Sequence, residues 1–122
     1  MKREIKFRVW DKMASDMIIN STRTISMTMG FDYGNPFFEL LQYTGLKDKN
    51  GIEIYESDIV KVVDYGIAKI IFIQGSFMCE WLDDEAYSEP MANIIWNDHT
   101  KHENMFEVIG NIYENKELLN ER

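Results

Sequence analysis

QYTGLKDKNGIEIYESDIV, running from Gln42 to Val60, holds the sharpest turn signal in the chain and the strand that leaves it. Lys47-Asp48-Lys49-Asn50-Gly51 is an unbroken polar turn, and Asn-Gly between β-formers predicts a reversal because both residues accept positive φ. Beyond it Ile52 and Ile54 alternate with Glu53 and Tyr55, the period of a strand with one face ready for a core. Ser57-Asp58 interrupts the run and Ile59 to Val63 resumes it, so the expected element is a ribbon bent at Tyr55 to Asp58 rather than one straight strand.

Downstream, Ile59 to Val63, Ile67 to Ile73 and Ser76 to Leu82 are separated by the turns Asp64-Tyr65-Gly66 and Gln74-Gly75. Three strands on short connections make a β-meander, and a twisted meander loses its exposed edges by closing as a small barrel. Phe77, Cys79 and Trp81 share one face of the third strand, Met78 and Glu80 the other. Asp83 to Pro90, acidic and without a basic residue, is expected to be a mobile loop. Met91 to Trp96 fits either a helix or a strand, and Asn97 to Asn104 is polar. Phe106 to Tyr113 alternates again and should close the barrel, with Gly110 marking a bulge or a close backbone approach. Asn115 is placed to cap a short helix from Lys116 to Glu121, with Glu117 in its first turn.

Upstream, Glu4 to Trp10 alternates strictly, Asp11 to Asp16 reads as a turn and Met17-Ile18-Ile19 as a returning strand, together an N-terminal hairpin. Trp10 falls on the polar face of that strand, where a large amphipathic ring covers an edge or sits in an interface. Asn20 to Met29 carries a weak β-branched pattern and Gly30 to Pro36 a loop rich in turn formers. Phe37 to Tyr43 is read as a strand that ends at Gly45.

A chain of 122 residues suits one domain, assigned to 1–122: hairpin and loops over 1–50, barrel over 51–115, helix over 116–122. With 45% apolar and 28% charged residues the composition is that of an ordinary globular protein. The longest clean apolar run, Ile70 to Ile73, is far short of a membrane span, so a soluble protein is expected. Charges from Glu4 to Asp11 break up any signal-peptide core, and the lone Cys79 suits a reducing cytoplasm. A net charge of −8 argues against a protein that wraps nucleic acid. The basic residues Lys2, Arg3, Lys6 and Arg8 could still form a small phosphate or partner site, although charges opposite an apolar strand face are usually its solvated side.

FRVWD (Phe7 to Asp11), the opening stretch (Gln42 to Val60) and EVIGNIYEN (Glu107 to Asn115), in this order, resemble the YopX family of small phage and prophage proteins. The resemblance implies an all-β fold with an SH3-like barrel after Gly51, a bacterial host cytoplasm, and no established activity to carry over. Two positions depart from the family pattern. Ser57 stands where the family usually has Gly, so either a positive φ there costs about 1 kcal/mol or the turn is of another type. Lys116 stands where it has Pro, losing the pre-set φ at the first helical position.

The chemical motifs are weak. His99 and His102 at i, i+3 beside Asp98 and Glu103 would imitate a metal site only on a helix, and lack a third fixed ligand. Cys79 in an alternating strand reads as a small hydrophobe rather than a nucleophile. Gly75-Ser76 lacks a hydrolase elbow, and there is no P-loop or dinucleotide fingerprint. The expectation is therefore no catalytic residue, no metal and no cofactor. Trp10, Tyr43, Asp48, Tyr55 and Asp58 are the candidate recognition surface, aromatic residues ringed by fixed polar groups; loop hydrogen bonding alone could also explain them. The expected role is non-enzymatic binding of protein, itself included as a homo-oligomer. The alternatives are a nucleic-acid module using the basic N-terminal strand and an acidic mimic that inhibits a host nucleic-acid enzyme.

Overall fold

The computed structural model describes residues 4–19, 36–83, 87–97 and 105–119. In chain order these form β1 (Phe7–Asp11), β2 (Asp16–Ile19), β3 (Phe38–Lys47), β4 (Glu53–Tyr55), β5 (Asp58–Val62), β6 (Gly66–Ile73), β7 (Ser76–Trp81), β8 (Ser88–Pro90), helix α1 (Met91–Asn97), β9 (Phe106–Asn111) and a 3-10 turn at Lys116–Leu119. The fold is mostly β, in two antiparallel sheets ordered β2-β1-β3-β4 and β8-β7-β6-β5-β9. The readings of 20–35, 84–86 and 98–104, including His99 and His102, fall outside the described residues.

The Asn-Gly turn is a three-residue loop, Lys49-Asn50-Gly51. Asp48 N–H donates to Ile52 O at 2.7 Å and Gly51 N–H to Asp48 O at 3.0 Å, with Gly51 at φ +81. Asn50 keeps an ordinary φ, so only the glycine takes the left-handed conformation. The bend predicted at Tyr55 to Asp58 is real: β4 belongs to the smaller sheet and β5 to the larger, and the chain crosses between them at Glu56-Ser57. Ser57 sits at φ +70 there.

The meander β5-β6-β7 forms as expected, and β9 pairs with the free side of β5. The register slips between Ile59 and Val60, opposite Gly110 and Val108. This is the bulge that Gly110 suggested. One face of the larger sheet supplies the core through Val60, Val62, Ala68, Ile70, Cys79, Trp81 and Phe106, and Ile54, Met91 and Ile94 pack onto it. Burying each of the larger aliphatic side chains contributes on the order of 2 kcal/mol.

Several expectations need correction. β3 does not stop at Gly45; it bulges there, at φ +89, and continues to Lys47. The stretch read as an acidic loop ends in a strand, Ser88–Pro90, which pairs with β7. Met91–Asn97, which the period left open, is a helix with Met91 and Ile94, three apart, buried in the core. Among the described residues the C-terminal segment is a 3-10 turn at Lys116–Leu119, and the Asn115 side chain does not cap it: its Oδ1 accepts from Asn111 N–H at 3.1 Å, while its carbonyl takes Leu118 N–H at 3.0 Å. Finally, β1 has no solvated face. The side carrying Arg8 and Trp10 turns toward the larger sheet, and Val9 on the opposite side is buried as well.

Candidate functional site

The five candidate residues are all buried, none more than 8% exposed, so they do not form an open recognition surface. Four of them gather where the two sheets meet. Alternation on β1 presents Arg8 and Trp10 to the same side. Arg8 Nη2 donates to Asp58 Oδ1 at 2.6 Å, and Asp58 Oδ2 accepts the Tyr55 N–H at 2.8 Å. The guanidinium lies over the Tyr55 ring, 4.7 Å from its centroid. That ring is tilted against Tyr43 at 5.4 Å, and Lys6 covers Tyr43 at 5.1 Å. Trp10 stacks on Tyr113 at 5.1 Å, nearly parallel. Asp58 and its cationic partner are both buried, so the cost of taking two charges out of water offsets much of their attraction.

Asp48 stands apart from this group and ties the Asn-Gly turn to the closing strand. Its Oδ1 accepts Asn50 N–H at 2.8 Å and Ile52 N–H at 2.9 Å, and its Oδ2 accepts Val108 N–H at 2.8 Å. Lys49 N–H adds a bond to Phe106 O at 3.0 Å. Both carboxylate oxygens are thus used on backbone amides, as an Asx residue in a turn uses them.

Electrostatics follow from burial. Desolvation raises Asp58 above its ordinary carboxyl value, against the opposing pull of Arg8 and the Tyr55 amide. Glu56 is raised for the same reason, although it accepts the Gln42 N–H at 2.9 Å. Burial pushes the Tyr55 hydroxyl up to about 12 and raises Tyr113 as well. Lys6 is raised by its bond to Glu53, and it also reaches Glu4 at 3.4 Å. The Cys79 thiol is pushed up to about 12, first by burial and then by Glu89, so it is a protonated core group at neutral pH. Ser76 donates to the neighbouring Phe77 carbonyl at 3.5 Å.

Two clefts border the aromatic residues. One of about 870 Å³ is lined by Trp10, Tyr113, Lys12 and Lys116 among others. The second, about 550 Å³, lies between Tyr43, Leu46, Phe72, Phe77 and Met91. Among the described residues no group of three or more His, Cys, Asp or Glu is placed to hold a metal, and no helix is long and apolar enough to cross a membrane.

Sequence reasoning singled out Trp10, Tyr55 and Asp58 but missed that Arg8 and Tyr113 complete their cluster. The signal lay in the motifs themselves: FRVWD, IYESD and GNIYEN are far apart in the chain, yet each contributes to this one junction.

The fold is shared by solved structures. A solved structure, protein EF1440 of Enterococcus faecalis, superimposes with a TM-score of 0.63 at 27% identity, covering 97% of this chain and 99% of that one. The crystal structure of protein yopX from Bacillus subtilis shares the fold at a TM-score of 0.50 and 18% identity, over 93% of this chain and 94% of that one. No curated protein matches. The YopX protein family model matches residues 6–120, nearly the whole chain with all three motifs inside it, and the chain belongs to the YopX family.

Proposed function

We propose that this chain is a non-enzymatic binding protein that acts through contacts with protein, a second copy of itself included. The observation that carries the reading is how the polar groups of the family motifs are used. Arg8, Asp58 and Asp48 are engaged within the fold, and apolar side chains such as Ile67 and Ile73, on one face of β6, are left exposed. Exposed apolar side chains gathered on one surface are what protein interfaces use. The finer fold reading is an SH3-like small barrel over 51–115, with the N-terminal hairpin as an extension of one domain. The phage or prophage origin and bacterial cytoplasm belong to the same proposal and rest on the family resemblance.

The test uses the purified full chain as bait against bacterial host lysate, with each captured protein then produced and titrated against the chain by calorimetry. A stoichiometric, salt-tolerant complex is expected. Fluorescence anisotropy with labelled DNA and RNA at low salt is expected to show no binding. Salt-dependent nucleic-acid binding, with no protein complex formed, would overturn the reading in favour of the nucleic-acid module.

A further inference from the structure

The face of the larger sheet that turns away from the core carries a self-complementary pattern. On β6 the core residues are Ala68 and Ile70, so Ile67, Lys69, Ile71 and Ile73 lie on the other side. On β7 the core residues are Cys79 and Trp81, which leaves Met78 and Glu80 on that same outer face. Register sets Lys69 opposite Glu80 and Ile71 opposite Met78, and β8 adds Ser88 and Pro90 to the two rows. Lys69 Nζ lies 3.1 Å from Glu80 Oε1, with both side chains partly exposed. Ile71 and Met78 are half-buried, while Ile67 and Ile73 are 39% and 50% exposed. A charged row and an apolar row thus run side by side across the strands.

We propose that this β6–β7 face is the surface on which the chain pairs with a second copy of itself, about a two-fold axis parallel to the strands and midway between β6 and β7. The proposal rests on the protein-binding reading above and names its surface. A half-turn about that axis keeps every residue at its level along the strand and lays β6 of one copy over β7 of the other. Lys69 of each copy then meets Glu80 of its mate, and Ile71 meets Met78, each contact occurring twice. The charged row becomes four charges of alternating sign, next to a continuous apolar row. A two-fold perpendicular to the strands at the same level would stack Lys69 on Lys69, which like-charge repulsion disfavours. A face of two or three strands buries less than a standard interface, so the dimer belongs to the weak, reversible class.

The test is sedimentation velocity of the full chain between about 5 and 500 µM, a range that brackets micromolar affinity. The wild type should pass from the 14.4 kDa monomer to twice that mass as concentration rises. Lys69→Glu and Glu80→Lys should each weaken self-association about tenfold or more. An equimolar mixture of the two variants should recover the dimer, because each presents the charges the other lacks. Circular dichroism checks folding, and Ile73→Glu, at an exposed position, gives an independent second variant that should also be monomeric. A wild type that stays monomeric throughout overturns the proposal together with the self-association part of the reading above. A wild-type dimer that survives both Lys69→Glu and Ile73→Glu overturns this surface alone and leaves self-association standing.

Discussion

Replacing Ser57 tests the corner on which both sheets turn. Ser57 sits at φ +70 and cannot relax, because its N–H donates to Ile70 O at 2.7 Å and its carbonyl accepts Ile112 N–H at 3.0 Å. A Cβ in that conformation costs roughly 1–2 kcal/mol. Glycine removes this strain but gives back about 0.5–1 kcal/mol through the larger entropy of the unfolded chain. The hydroxyl donates only to the adjacent Glu56 carbonyl, and its loss is common to both test variants. Ser57→Gly should therefore be more stable than Ser57→Ala by about 0.5–1 kcal/mol, the reverse of the order at ordinary strand positions. For a chain of this length 1 kcal/mol corresponds to about 4 °C in Tm. Urea titration and calorimetry of both variants measure the difference. Ser57→Ala as stable as Ser57→Gly, or more so, would refute the account of strain at this corner.

Asp58→Ala should cost about 3–5 kcal/mol, because it leaves Arg8 charged and buried with its acidic partner gone; the double variant Arg8→Met/Asp58→Leu should be more stable than Asp58→Ala, as urea titration would show. Gly110→Ala places a Cβ 2.6 Å from Asn115 Oδ1 and must push that side chain off the Asn111 amide, so a loss of about 1–3 kcal/mol is expected, and Asn115→Ala in the same chain should recover part of it. Glu56 holds its proton more tightly in the fold than in the unfolded chain, because burial outweighs the bond from the Gln42 amide, so the stability it contributes is fully present below its ordinary value of 4.5 and is lost as pH rises through the raised folded value. Relative to Glu56→Gln, the wild-type urea midpoint should therefore rise as pH falls from neutrality toward 4.5; the same pH dependence in both proteins would contradict this assignment.

The meander and the N-terminal hairpin were legible because each carries a period of two between turn residues, a signal local to a few positions. Met91–Asn97 was not, since a seven-residue segment cannot separate helix from buried strand by period; packing of Met91 and Ile94 on the core decides it. The end at Asn115 was not legible for a related reason. A good capping residue has two possible clients, and the nearby β9 terminus takes the side chain before the helix can.

By itself the sequence determined the Asn-Gly reversal, the bend at Tyr55 to Asp58, the meander and the family, because turn chemistry and alternation act over neighbouring residues. The family pattern marked Ser57 as a position where glycine is usual, and the structure shows that the serine keeps a positive φ there. Only the tertiary structure decided which way β1 faces. Alternation defines two faces without saying which is covered, and here the side bearing Arg8 and Trp10 is sealed against Asp58 and Tyr113, contributed by segments about 50 and 100 residues further along the chain. Burial of that polar face turns residues that could have met a ligand into the contacts joining the two sheets.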